Sequence, residues 1–134
     1  MICIQSITID SNEPKNLALF WAAVLGWEIT FENEIEVVLE LLDGTPARGL
    51  LPDLLFLKNN DGRKVKNRLH LDLRPDNQKL EVQRLIELGA KEIEIGQSEY
   101  EGTTWVVMAD PEGNEFCVLR ALTSSEIETN VSSL

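Results

Sequence analysis

Basic residues are scarce in this chain. Twelve Lys and Arg face 23 Asp and Glu, a formal net charge of −11. Phosphate contacts require a positive surface, so a general nucleic-acid partner is not expected. Cysteine is scarce as well: Cys3 and Cys117 are the only two, in no CxxC pair, and a disulfide framework is not expected. Both thiols lie in apolar runs, where burial is the expectation. No apolar stretch approaches the ~20 residues of a membrane-crossing helix. The N-terminus lacks the basic-then-apolar order of a secretory leader. Together these absences predict a soluble cytoplasmic protein with no membrane partner.

What remains is ordinary for a folded domain. The chain has 134 residues, 43% of them hydrophobic, enough for one domain with its own core. Its charge is uneven. Six acids and no base fall between Glu28 and Asp43, while Lys58, Arg63, Lys64, Lys66, Arg68 and Arg74 make up half of all the bases. That basic run reads as a solvated linker or as a local positive field that favours an anionic small molecule.

The chain nearly repeats itself. Residues 4–10 alternate like a strand, a helix-like run follows, and then comes Leu25-Gly26-Trp27. Residues 68–74 alternate in the same way, a second helix-like run follows, and then comes Leu88-Gly89-Ala90. Gly26 and Gly89 stand 63 positions apart, so one supersecondary unit has been used twice.

In the first unit, residues 2–10 predict a strand. Ser11 or Asn12 is placed to cap a helix that begins at Pro14. Leu17, Phe20, Trp21, Val24 and Leu25 form one apolar helical face, and Gly26 ends it. Strands are predicted over 27–32, 35–42 and 50–57, with Asp43-Gly44 as a turn. In the second unit, residues 68–74 predict a strand. Pro75-Asp76 opens a helix whose stripe includes Leu80, Leu85 and Leu88. Strands follow over 91–95, 103–109 and 115–121. Asp110 to Asn114 form the turn between the last two, with Asp110 and Asn114 bonding nearby backbone. The tail, 122–134, reads as flexible.

Each unit is therefore β-α-β-β-β, and the fold class is α+β: paired curved mixed sheets around a cleft. Residues 1–121 form the domain, with unit one at 1–58 and unit two at 66–121.

Particular residues carry a resemblance. They are Leu19-Phe20-Trp21, Leu25-Gly26-Trp27, Lys66-Asn67-Arg68-Leu69-His70-Leu71-Asp72-Leu73, Leu88-Gly89-Ala90, Trp105 and Asp110-Pro111-Glu112-Gly113-Asn114-Glu115-Phe116. In this order the chain resembles the glyoxalase-like branch of the vicinal oxygen chelate superfamily, which includes glyoxalase I, extradiol dioxygenases, fosfomycin-resistance proteins and bleomycin-binding proteins. The resemblance implies a divalent metal held by four side chains from the first and last strand of each unit. It places those positions at Ser6, in the apolar strand Leu54 to Leu57, at His70 and at Cys117. Ser6 is a poor ligand, the apolar strand offers none, and His70 matches. Cys117 is a possible thiolate, with Asp72 on the strand face of His70 as a further oxygen donor.

The expectation is accordingly no cofactor and no metal, with the metal set depleted. A small organic molecule, anionic if the basic run serves it, is expected in the inter-sheet cleft against Ser6, Thr8, Trp27, His70, Asp72, Trp105 and Cys117. His70 is the single candidate catalytic group, because an imidazole titrates near neutrality. The bland reading stays open beside this one: His70 as a satisfied imidazole, Trp27 and Trp105 as core, and the cleft filled by its own side chains. The alternative function is a lyase, isomerase or dioxygenase-type enzyme with an atypical metal site or none. The resemblance also implies a homodimer.

Overall fold

The computed structural model describes residues 1–94 and 105–132. Among these described residues, eight strands and three helices run in the order β1 (Ser6–Ser11), α1 (Pro14–Leu25), β2 (Glu28–Glu32), β3 (Glu36–Glu40), β4 (Asp53–Lys58), β5 (Asp72–Leu73), α2 (Gln78–Leu88), β6 (Lys91–Glu92), β7 (Trp105–Ala109), β8 (Glu115–Leu119) and α3 (Ser124–Ser132). The chain divides into two compact units, Met1–Lys66 with Asp110–Asn114, and Asn67–Ala109 with Glu115–Leu134.

The duplication is explicit in the topology. One four-stranded sheet has the order β1-β4-β3-β2 and the other β5-β8-β7-β6. In each, the first strand of the unit runs parallel to the last, and the remaining pairs are antiparallel. The architecture is α+β with two mixed sheets, as the repeat predicts.

In the first unit, β1 and β4 are in register from Ser6 opposite Asp53 to Ser11 opposite Lys58. Alternation sends Leu54 and Phe56 of β4, with Val37 and Leu39 of β3, to one face, and all four are buried. α1 packs there with Leu17, Ala18, Phe20 and Trp21. The Phe20 and Trp21 rings meet edge-on with centroids 5.3 Å apart, an arrangement the ring quadrupoles favour. Gly26 closes the helix at φ 67°, its N–H bonded to the Ala22 carbonyl, a left-handed position that costs glycine little.

The start of α1 is not held as the sequence suggests. The N-cap is Glu13, whose side chain makes no capping bond, and the first turn carries no acid. Glu112 supplies both functions from far along the chain. Its carboxylate accepts the Asn12 N–H at 2.6 Å and, more weakly, the Glu13 N–H at 3.4 Å, and it also takes the Ser11 hydroxyl. A negative group there complements the positive end of the helix. Beside it, Asp110 is 3% exposed. Its carboxylate accepts the Glu112 and Asn114 N–H groups at 2.9 and 3.0 Å, the Asn114 side-chain amide, and the Trp21 indole N–H at 3.0 Å. The expected turn role of Asp110 and Asn114 is present, and the bond to Trp21 ties that turn to the core of the first unit.

In the second unit, Met108, Phe116 and Val118 share one face of the sheet and are fully buried. α2 lies with them through Leu85, which is also fully buried, and through the Gln78 amide, which donates to the Val118 carbonyl at 2.9 Å. The Leu80-Leu85-Leu88 stripe is only partly realised: Leu80 is 64% exposed. Val82 and Gln78 share the inward side with Leu85 at i−3 and i−7, and Leu80 falls off that arc. Asn77, not Pro75 or Asp76, caps α2, its side chain accepting the Leu80 N–H.

Several predicted boundaries shorten. β1 begins at Ser6 rather than residue 2, and β5 keeps only Asp72–Leu73 of the predicted 68–74. β5 is an edge strand with one neighbour, β8, and pairs only with Cys117 and Val118 of it. Ile95, Thr103 and Thr104 of the predicted strands lie outside the described residues. The tail contains a helix, α3, where flexibility was expected. Thr123 and Glu126 form its capping box: the Thr123 N–H donates to Glu126 at 2.7 Å and the Glu126 N–H donates to the Thr123 hydroxyl at 3.3 Å. Arg120 adds a two-pronged bond to the same carboxylate at 2.9 and 2.7 Å. Among the described residues no helix is long and apolar enough to cross a membrane.

Candidate functional site on the second sheet

The face of the second sheet turned away from α2 collects the chemistry-bearing residues. Asp72 of β5 pairs in register with Cys117 of β8, and Cys117 pairs with Val107 of β7. Register partners point to the same side, so Asp72, Cys117 and Val107 form one row across three strands. The next row holds Trp105 opposite Leu119, and the row before it Ala109 opposite Glu115. The Cys117 N–H donates to the Leu71 carbonyl at 2.9 Å, which fixes the approach of the chain carrying His70 and Asp72.

Three side chains converge on this face. His70 Nε2 lies 3.3 Å from Asp72 Oδ1. One donor atom from each of His70, Asp72 and Cys117 falls within 4.8 Å of the others. His70 and Asp72 are about half exposed, at 47% and 53% of their side chains, and Cys117 is half-buried. The group unites an imidazole, a carboxylate and a thiol, and it is open to solvent. Such a trio can hydrogen-bond a polar ligand, orient an imidazole for proton transfer, or ligate a cation.

Of the seven predicted ligand-binding residues, four share this face: His70, Asp72, Cys117 and Trp105. Trp105 is 43% exposed, so it is not core. Ser6 and Thr8 are exposed residues of β1 in the first unit, on the side of their sheet opposite the buried Leu54 and Phe56. Trp27 lies between α1 and β2, half-buried and outside both sheets. The expectation that both thiols are buried is corrected. Cys3 is exposed because the strand does not begin until Ser6, and Cys117 is only half-buried because alternation turns it away from α2. The basic run divides between the two units. Within it, Arg63 donates to the Val65 carbonyl and Arg74 to the Arg120 carbonyl.

Sequence reasoning missed two features. Glu115 lies on the same face as Cys117, two residues before it on β8; strict alternation back from Cys117 would have found it. Asp53 opens β4 opposite Ser6, so β4 is not wholly without a donor as the apolar run suggested. The Asp53 carboxylate receives the Gln5 side-chain amide at 3.3 Å, and the rest of that face of β4 is Leu55 and Leu57.

The donor chemistry decides whether a metal centre of four side chains fits. At the positions the resemblance assigns, the first unit offers a serine hydroxyl and an aliphatic strand, with the single carboxylate of Asp53 at its edge. Among the described residues, the one cluster of His, Cys, Asp or Glu donors is the trio in the second unit. Among the described residues, these positions do not bring four such donors together.

Two β-α-β-β-β units with the same strand order are the architecture of the vicinal oxygen chelate superfamily. The profile of the glyoxalase-like domain matches residues 6–119, and the chain belongs to that family. Solved structures agree on the fold. A glyoxalase/bleomycin resistance protein/dioxygenase family enzyme from Burkholderia phytofirmans PsJN is similar at 17% identity and TM-score 0.65, covering 88% of this chain and 98% of its own. A glyoxalase-related enzyme from Fulvimarina pelagi is similar at 13% identity and TM-score 0.62, covering 90% of this chain and 88% of its own. A bleomycin resistance determinant encoded on the transposon Tn5 is similar at 18% identity and TM-score 0.57, covering 91% of this chain and all of its own, 100%. Comparison with curated proteins returned no significant match.

Proposed function

We propose that this chain binds a small organic molecule on the second sheet, against His70, Asp72, Trp105 and Cys117, without the four-donor metal centre. The observation that carries this reading is the placement of one aromatic wall and three polar groups on one face of the sheet, half-exposed at Trp105, His70 and Asp72 beside the buried Val107 and the part-buried Leu119. Apolar surface with a few convergent polar groups is the usual make-up of a small-ligand site. The indole offers a flat wall, and the imidazole and carboxylate fix orientation. Arg68, two residues before His70 and exposed, is placed to favour an anionic ligand.

Ligand-observed NMR with a panel of flat organic carboxylates and neutral aromatics tests the reading on metal-free protein. Binding that weakens by about tenfold in Trp105→Ala, as expected for losing one aromatic contact, supports it. Hits that bind Trp105→Ala and His70→Ala as tightly as the parent chain contradict it.

The second reading is a lyase, isomerase or dioxygenase-type enzyme with an atypical metal site. The clustering of three donor atoms within 4.8 Å favours it. It requires a substrate whose turnover His70→Ala abolishes while leaving binding in place.

A further inference from the structure

We propose that Cys117 is a nucleophile toward flat conjugated carbonyl compounds, with His70 taking the thiol proton and Asp72 positioning the imidazole. This rests on the small-ligand reading of the same face and deepens it by naming the ligand's chemistry: an α,β-unsaturated ketone that bears a carboxylate. Binding alone needs no reaction; here a carbon–sulfur bond forms.

Cysteine attacks as its thiolate, and an imidazole in reach is a common acceptor of the thiol proton. One atom from each of His70, Asp72 and Cys117 lies within 4.8 Å of the others. His70 Nε2 is 3.3 Å from Asp72 Oδ1, so the carboxylate holds the proton on Nε2 and leaves the lone pair on Nδ1. A bridging water, or a turn of the half-exposed ring, spans the remaining distance to sulfur. The backbone fixes the three together: Asp72 and Cys117 are register partners, and the Cys117 N–H is bonded to the Leu71 carbonyl between His70 and Asp72. The chain's single histidine lies in the unit of Cys117, not in that of Cys3.

Trp105 sets the shape of the ligand. It pairs with Leu119, two residues along β8 from Cys117, so indole and thiol are diagonal neighbours, about 7–8 Å apart across an antiparallel pair. An aromatic ring stacked on the indole carries its conjugated double bond toward the sulfur, and the exposed Arg68 suits a carboxylate. In the reaction the sulfur bonds to the carbon β to the ketone, and the electron pair of the double bond moves toward the carbonyl oxygen. The proton that His70 took from sulfur returns to the α-carbon. One C–S and one C–H bond form, the S–H bond and the carbon–carbon π bond are lost, and nothing leaves. No oxidant or reductant is needed.

The test treats the full chain carrying Cys3→Ser with trans-3-benzoylacrylate and reads adducts by intact mass and peptide mapping. The saturated analogue 3-benzoylpropionate, which lacks the reactive double bond, reports binding by NMR. One adduct at Cys117 is expected, at a rate that saturates with reagent and is slowed by 3-benzoylpropionate. His70→Ala should lower the saturated rate about 100-fold. Asp72→Asn should lower it less, and Asp72→Glu, which keeps the carboxylate, should stay nearer the parent rate. Both side chains are half-exposed, so their variants report on the step even where Cys117→Ser perturbs β8. A rate that rises linearly and matches that of N-acetylcysteine, an adduct at residues other than Cys117, or a saturated rate unchanged in His70→Ala overturns the proposal. Binding of 3-benzoylpropionate on this face with no benzoylacrylate adduct overturns the covalent step and leaves the small-ligand reading standing. With neither binding nor adduct the ligand class is wrong and the proposal falls, while the wider ligand panel remains the test of binding itself. A disulfide reagent with no affinity for this face follows exposure instead and reaches Cys3 of the parent chain first.

Discussion

Replacing Asp110 by Ala should be among the most damaging single changes in this chain. Its carboxylate is 3% exposed and accepts N–H groups from Glu112, Asn114 and the Trp21 indole. Removing it leaves the Trp21 N–H without this acceptor at a side chain that is 2% exposed. Hydrogen bonds to a charged acceptor contribute about 1.5–3 kcal/mol each and do not simply add. The expected net loss is therefore about 3–5 kcal/mol, the worth of roughly two such bonds to a charged acceptor. For a chain of 134 residues, unfolding entropy near 2.1 cal/mol/K per residue turns that loss into a fall in Tm of roughly 10–18 °C.

Calorimetry and urea melts of Asp110→Ala, Trp21→Phe and the double variant give the coupling directly. Trp21→Phe keeps an aromatic ring and removes the donor, so the cycle separates lost packing from the lost bond. We expect a coupling of about 1–2 kcal/mol. A fall in Tm below ~3 °C for Asp110→Ala, or additive single variants, refutes the reasoning.

Glu112→Gln should cost about 1 kcal/mol by weakening the long-range cap of α1, and urea melts with amide exchange at Asn12 and Glu13 check it; unchanged protection speaks against the cap. The Glu126 carboxyl is held far below its ordinary value of 4.5, first by the hydrogen bond from the Arg120 guanidinium and then by the Thr123 amide and hydroxyl. A depressed pKa stabilises the folded form above the unfolded value, so the capping of α3 should persist at neutral pH and fade as pH falls below about 4.5. Amide exchange across residues 124–129 follows this, and Glu126→Gln should remove the pH dependence. A thiol reagent should modify the exposed Cys3 faster than the half-buried Cys117; Cys3→Ser should delete the fast phase, and a single rate for both thiols contradicts the assigned exposures.

The repeated β-α-β-β-β order was legible because its signals are local. The α1 stripe at Leu17, Phe20 and Trp21 and the glycines at 26 and 89 each sit within a few residues of what they control. The face shared by His70, Asp72, Trp105 and Cys117 was legible for a similar reason: alternation along β5, β7 and β8 sorts side chains once the strands are placed. What was not legible depends on distant partners. The cap on α1 comes from Glu112, 100 residues beyond Asn12, and the acceptor for Trp21 is 89 residues away at Asp110. Nothing near Ser11 signals either one. Leu80 looked like core because the stripe was counted without knowing which arc of α2 meets the sheet. Cys3 looked buried because an apolar run was read as strand before any neighbour was known to pair with it. The helix over 124–132 is a different case, since Thr123 and Glu126 spell a local capping box that the serine-rich, acidic composition obscured.

The most direct measurement for the central claim is backbone NMR shift mapping of the full chain with a small organic ligand drawn from the screened panel. The account predicts perturbed amides along β5, β7 and β8 centred on His70, Asp72, Trp105 and Cys117. Shifts confined to α2, or spread with no focus on those four residues, contradict it.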